Sequence, residues 1–178
     1  MRNILVLNKV FRDKVEELIS KCAVDGTYMV PFETVRTPAQ QARLWRQSRS
    51  TAEIRQEIHK FMNEGAMWLA EVLDKVGPQY GRWVTNALPG FSWHQWGEAI
   101  DCFSLRDGKA NWDANHMDYN IYARDAEQLK LVPGHYWKCR DSVHVQLRPG
   151  EVLDYYSIQE VNSKMANSFG RGKRQCIE

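Results

Sequence analysis

The stretch Ser92-Trp93-His94-Gln95-Trp96-Gly97-Glu98-Ala99-Ile100-Asp101 decides how the chain is read. From Glu98 to Phe103 it alternates as a strand, with Ala99, Asp101 and Phe103 on one face and Ile100 and Cys102 on the other. His94 and Asp101 stand seven residues apart with Gly97 between them, where glycine allows a sharp turn back along the strand. Ala99 is small where a metal and a substrate must approach the sheet. A hydrolytic zinc site takes three protein ligands from His and Asp or Glu and keeps one position for water. His94 and Asp101 supply two of them.

The third comes from Asp141-Ser142-Val143-His144. A strand from Val143 to Leu147 puts Val143, Val145 and Leu147 on one face and His144 and Gln146 on the other, a core row backed by a polar row. His144 is then the third ligand. Asp141 precedes it by three residues, which is the wrong parity for a regular strand. If the strand begins only after it, a turn swings its carboxylate toward the attacking water. There it takes a proton during attack on a carbonyl and passes it to the leaving amine. Ser92 is placed to hydrogen-bond a ligand or the substrate. A lone His-x6-Asp pair or Asp-x-x-His tetrapeptide is usually structural, but the joint register is far more specific. Two imidazoles and a carboxylate suit zinc, one ion per chain.

Working outward, apolar positions Phe11, Val15, Leu18, Ile19 and Cys22 predict a helix from Asn8 to Cys22, with Asn8 as its cap. Thr27 to Val35 is β-rich, and Pro31 places it at an edge or a bulge. Thr37-Pro38 starts a helix to Gln47. Ser50-Thr51 starts another region running to Lys75, broken at Gly65, with Ile54, Ile58, Phe61 and Met62 as its buried stripe. Residues 107–120 read as a loop with His116 solvated, and Tyr119 to Leu131 as a helix stopped by Pro133-Gly134. His135 to Lys138 reads as a strand and Glu151 to Phe169 as a final helix, followed by a short mobile tail from about 170 to 178. His59 reads as a partly exposed helix residue rather than a ligand. No internal repeat or linker appears, so residues 1–178 are expected to form a single domain.

The bulk properties set limits. A chain of 178 residues, 43% apolar and 26% charged, can bury a core without metal or disulfide staples. A net charge of +2 gives no case for nucleic-acid binding, and no apolar run is long enough for membrane insertion. Four cysteines without CxxC or zinc-ribbon spacing read as reduced thiols. Cys102, facing away from Asp101, is no ligand. The N-terminus has too short an apolar core for a signal peptide. The seven tryptophans are core or the wall of a carbohydrate or peptide site.

The pattern SxHxxGxAxD followed by a [D/E]xxH element resembles the zinc D-Ala-D-Ala carboxypeptidase and L-alanyl-D-glutamate endopeptidase family, the VanY-like peptidases that include phage endolysins. Val35-Arg36-Thr37-Pro38-Ala39-Gln40-Gln41 is similar to that family's R-[ST]-x-x-x-Q element. The resemblance implies an α+β fold, with a small antiparallel sheet carrying the zinc site and helices flanking it, as in the hedgehog signalling domain. It implies that Arg36 holds an oxyanion or a substrate carboxylate. Gln41 and Trp137 join Ser92 as residues touching the ligands or the substrate. Segments 49–80 and 105–120 are longer than the family pattern, and Val143 stands where relatives often carry proline.

The implied function is zinc-dependent hydrolysis of the peptidoglycan stem peptide between L-Ala and D-Glu by a monomeric phage or prophage endolysin. It would wait in the host cytoplasm for release to the wall by a holin-type protein. D-Ala-D-Ala carboxypeptidase or dipeptidase action is the alternative. A non-catalytic, zinc-dependent cell-wall binding domain is a more distant one.

Overall fold

The computed structural model describes residues 3–170. In chain order its elements are α1 (Lys9–Val24), β1 (Met29–Glu33), α2 (Pro38–Arg46), α3 (Thr51–Asn63), α4 (Met67–Lys75), β2 (Ala99–Arg106), β3 (Lys109–Asn111), α5 (Met117–Gln128), β4 (Val132–Pro133), β5 (His144–Gln146) and α6 (Ile158–Phe169). Helices and one small antiparallel sheet give the α+β class that the motifs imply. The described residues divide into two units, 3–35 with 96–149 and 36–95 with 150–170.

The first unit holds the sheet, in the order β1-β2-β5-β4, with β3 also paired to β2. Pro31, which cannot donate to a ladder, sits on the terminal strand β1, and the register shifts between Pro31 and Glu33. One sheet face carries Ile100, Cys102 and Val145 into a core with Phe11, Val15 and Leu18 of α1 and Tyr119 and Tyr122 of α5. Burying each of the larger apolar side chains stabilises the fold by about 1.5–3 kcal/mol. Cys102 is fully buried there, and burial pushes its thiol up to about 12.

Gly97 sets the entry to β2. Its φ of +66° is costly for other residues, and an added Cβ would lie 3.0 Å from the backbone nitrogen of Asn8. That same Asn8 N–H donates to Gly97 O at 2.9 Å, while the Asn8 side chain caps α1. The turn before β2 is thus tied to the start of α1.

The second unit is helical. Reciprocal capping boxes start α2 (Thr37 with Gln40) and α3 (Ser50 with Glu53). Leu69, Ala70 and Leu73 of α4 are buried, and α4 packs against α2, α3 and α6. In α3, Ile54 and Phe61 are buried, but Met62 is 43% exposed. Eight residues beyond Ile54, Met62 has rotated ~80° around the helix and off the buried face.

Several boundaries differ from the sequence expectations. The segment 107–120 is not all loop: Asp107-Gly108, both at positive φ, close a two-residue hairpin between β2 and β3. His116 is not simply solvated but caps α5, its Nδ1 accepting from the Asp118 N–H at 3.3 Å. Helix α5 spans Met117–Gln128 rather than Tyr119–Leu131, ending before Lys130 at positive φ. His135–Lys138 is no strand: Gly134–Tyr136 form a 3-10 turn, and β4 is only Val132–Pro133. The final helix starts at Ile158, where Ser157 and Glu160 form a capping box, after a 3-10 turn at Val152–Asp154. The expected tail lies, from 171 onward, outside the described residues. Among the described residues no helix is long and apolar enough to cross a membrane.

Candidate metal centre

Asp101 and His144 are direct cross-strand partners of β2 and β5. Partners in an antiparallel pair project to the same face, here the face opposite the Ile100–Cys102–Val145 core. His144 Nδ1 lies 2.9 Å from Asp101 Oδ1. His94, in the 3-10 turn Trp93–Trp96, completes the group: one ligand atom from each of His94, Asp101 and His144 lies within 4.8 Å of the others. All three are buried, and among the described residues no other cluster of this kind forms.

The second nitrogen of His144, Nε2, lies 3.0 Å from Gln146 Oε1. Both ring nitrogens therefore face oxygen acceptors, whereas a neutral imidazole carries one N–H. A second positive species is required, either a proton or a metal ion. Burial opposes the charge on His144, but the hydrogen bond to Asp101, the charges of Asp101 and Asp141, and the Gln146 contact together hold its pKa above the ordinary histidine value. The donor set, two imidazoles and a carboxylate, fits zinc.

Asp141 lies before β5, in the position where a turn rather than a strand sets its direction. It is exposed, and its backbone oxygen accepts from the His144 N–H at 3.2 Å. The Asp141 N–H donates to Gly134 O at 3.0 Å, and a Cβ on Gly134 would meet Asp141 O at 2.6 Å. Only glycine lets these two turns approach so closely. Next to it, His135 bridges the same turns, with Nδ1 2.9 Å from Ser142 Oγ and Nε2 3.0 Å from Asn120 Oδ1. Burial and then the nearby Arg140 lower the His135 pKa from the ordinary histidine value, which favours the neutral ring. Its Nε2–H then donates to Asn120 and its Nδ1 accepts from Ser142.

Arg36 is held from two sides. Its backbone N–H donates to His94 O at 3.3 Å, and its Nη1 donates to Gln41 Oε1 at 2.8 Å. Gln41 is fully buried, its Nε2 donating to Ala87 O at 2.7 Å, and its Oε1 also accepts from Gln95 Nε2 at 3.2 Å. Gln95 Oε1 in turn accepts from the Gly90 N–H at 2.9 Å. The Arg36 Nε is buried with no hydrogen-bond partner, a donor in want of an acceptor. Ser92 Oγ accepts from the backbone N–H of His94 at 3.4 Å. The Trp137 ring stands 5.1 Å from that of His144, centroid to centroid.

The structure thus brings His94, Asp101 and His144 together, sets Asp141 beside His144 and places Arg36 and Ser92 beside His94. Gln95, Gln146 and His135 were not singled out from the sequence. Gln146 had one signal, its shared strand face with His144. Gln95 and His135 had none, since their partners are distant in sequence or depend on turn geometry.

Residues 5–132 match the family described as VanY, D-alanyl-D-alanine carboxypeptidase. The chain belongs to this family. As a VanY-family protein it is a peptidase of a class that acts on peptidoglycan. The matched span includes Arg36, Gln41, Ser92, His94 and Asp101 and stops before Asp141 and His144. No curated protein matches the chain at a significant level. Among solved structures it is similar to the Serratia marcescens L-Ala D-Glu endopeptidase ChiX, with 16% identity over 82% of this chain and 84% of that one, at a TM-score of 0.43. It is also similar to a variant of the vancomycin-resistance D,D-pentapeptidase VanY from the VanB-type cassette, solved with Zn(II). That match has 15% identity over 90% of this chain and 78% of the other, at a TM-score of 0.45.

Proposed function

We propose that this VanY-family member is a zinc-dependent hydrolase of the peptidoglycan stem peptide, cutting between L-Ala and D-Glu. The observation that carries the proposal is the convergence of His94, Asp101 and His144 within 4.8 Å on one buried site. These three residues hold the ion. Zinc bound there would supply Lewis-acid polarisation of the scissile carbonyl and acidify water. Asp141 takes the proton of the attacking water and delivers it to the leaving amine. Arg36, fixed by Gln41 and with its Nε lacking a partner, holds the developing oxyanion or a substrate carboxylate. Trp137, 40% exposed, lines the substrate side of His144, and Ser92 steadies the backbone of His94.

We further propose that the chain acts as one catalytic domain, monomeric, in the role of a phage or prophage endolysin. It would accumulate in the host cytoplasm and reach the wall after release by a separate holin-type protein. An aspartate rather than a glutamate at 141 favours the endopeptidase specificity, by analogy within the family. The family's description favours a second reading, D-Ala-D-Ala carboxypeptidase action. Mass spectrometry of digested, purified peptidoglycan separates them: new N-terminal D-Glu is expected, and released D-Ala without it would establish the carboxypeptidase. Host cells making the protein should lyse only once the membrane is permeabilised; lysis without that step would sink the holin-dependent role.

A further inference from the structure

We infer that Gln146 is a positioning residue that fixes the tautomer of His144 and so selects Nδ1 as its metal-binding nitrogen. Gln146 is 5% exposed, and its strand β5 lies between β2 and β4, with Gln146 opposite Ala99 on one side and Val132 on the other. Its backbone therefore has no freedom to drift. The side-chain amide is fixed as well, because its Nε2 donates to Arg148 O at 2.6 Å, which turns the carbonyl end toward His144. Gln146 Oε1 is an acceptor only, so the 3.0 Å contact requires an N–H on His144 Nε2. That leaves the lone pair of Nδ1 directed at the side where Asp101 Oδ1 stands 2.9 Å away.

The carbonyl that anchors Gln146 is itself fixed. The Arg148 guanidinium donates from Nε to Glu98 Oε2 at 2.6 Å and from Nη2 to Glu98 Oε1 at 3.1 Å. The Glu98 carbonyl accepts from the Leu147 N–H at 2.9 Å. Glu98 belongs to the stretch that supplies Asp101, so one chain of contacts, Glu98–Arg148–Gln146–His144, ties the two ligand-bearing strands to one orientation of the imidazole. Partners of this kind set ring orientation and raise ligand basicity, and losing one weakens metal binding ~10–100-fold.

The assignment rests on His144 being a ligand, as proposed above. Its test measures zinc affinity of the whole purified protein by competition with a chromogenic chelator, with circular dichroism to confirm folding. Gln146→Leu is expected to bind zinc ~10–100-fold more weakly than the parent. Gln146→Glu, which keeps an oxygen acceptor for Nε2–H, is expected to recover most of that loss. Gln146→Leu with parental affinity, alongside a zinc-deficient His144→Ala, would overturn the role of Gln146 while leaving the ligand set standing. Equal weakening in the Leu and Glu variants would overturn it too, since the acceptor would not be the cause. Parental affinity in His144→Ala would remove the ligand set, and the inference with it.

Discussion

Asp101 and Asp118 are both buried aspartates with a histidine nitrogen close by: Asp101 has His144 Nδ1 at 2.9 Å, and Asp118 has His116 Nδ1 at 3.2 Å. Their other partners separate them. Asp118 receives a forked guanidinium from Arg106 and hydroxyls from Ser104 and Thr27. The Arg106 hydrogen bonds lead; burial opposes them, and Ser104, Thr27 and the guanidinium charge add to them, holding the Asp118 carboxyl down at about 2. Arginine is permanently charged, so that carboxylate is neutralised within the protein and the pair is closed to ions. Asp101 meets imidazoles, which carry charge only when protonated and otherwise present a lone pair. A buried carboxylate beside arginine is a brace, whereas one between histidines is a place for a cation.

The sharpest way to break this contrast is to exchange the fates of the two sites. Asp101→Ala, or His94→Ala, should abolish bound zinc and peptidoglycan hydrolysis together, and a chelator should do the same reversibly. Asp118→Asn should keep full zinc stoichiometry by elemental analysis. Activity that survived complete demetallation would end the metal-dependent reading.

A smaller effect is expected at Asp141. Asp141→Ala should lower kcat by ~10²–10⁴-fold with zinc still bound, since it removes a proton carrier and not a ligand. Unchanged wall lysis would remove Asp141 from that role. Gly134→Ala should act through the same residue more gently, because its Cβ would press on Asp141 O at 2.6 Å and displace the turn. A loss of up to ~100-fold in kcat at unchanged zinc content is expected from a misplacement near 1 Å. Steady-state kinetics on a soluble stem peptide would show it.

The smallest effect is on stability. Because the folded pKa of Asp118 is depressed, its contribution is present above the unfolded carboxylate value and fades as pH falls toward about 2. The shift corresponds to roughly 2 kcal/mol. Urea denaturation from pH 5 to pH 2 should show the parent losing about that much relative to Asp118→Asn, whose amide does not titrate. Parallel curves would mean that Arg106 and Asp118 stabilise the fold less than their geometry implies.

Much of this was legible before folding. Helix starts at Asn8, Thr37 and Ser50 were readable because caps act through residues two or three positions away. The bulge at Pro31 followed from a missing N–H. The hairpin at Asp107-Gly108 carried a sequence signal too, but the polar residues around it read as loop. The strand expected at His135 failed because β-propensity says little without knowing what pairs with it.

The linear chain carries the chemical inventory and the faces: which side chains can bind a metal, and that Asp101 and His144 each lie opposite an apolar row. Period-two alternation and short-range turn chemistry are local, so a linear chain displays them. The register that sets Asp101 against His144 comes from folding. Folding also turns the Gln146 amide toward His144 Nε2 and brings Gly134 against Asp141. Those depend on strand pairing and close backbone approach between residues that are distant in the chain or joined by irregular turns. No spacing rule encodes them.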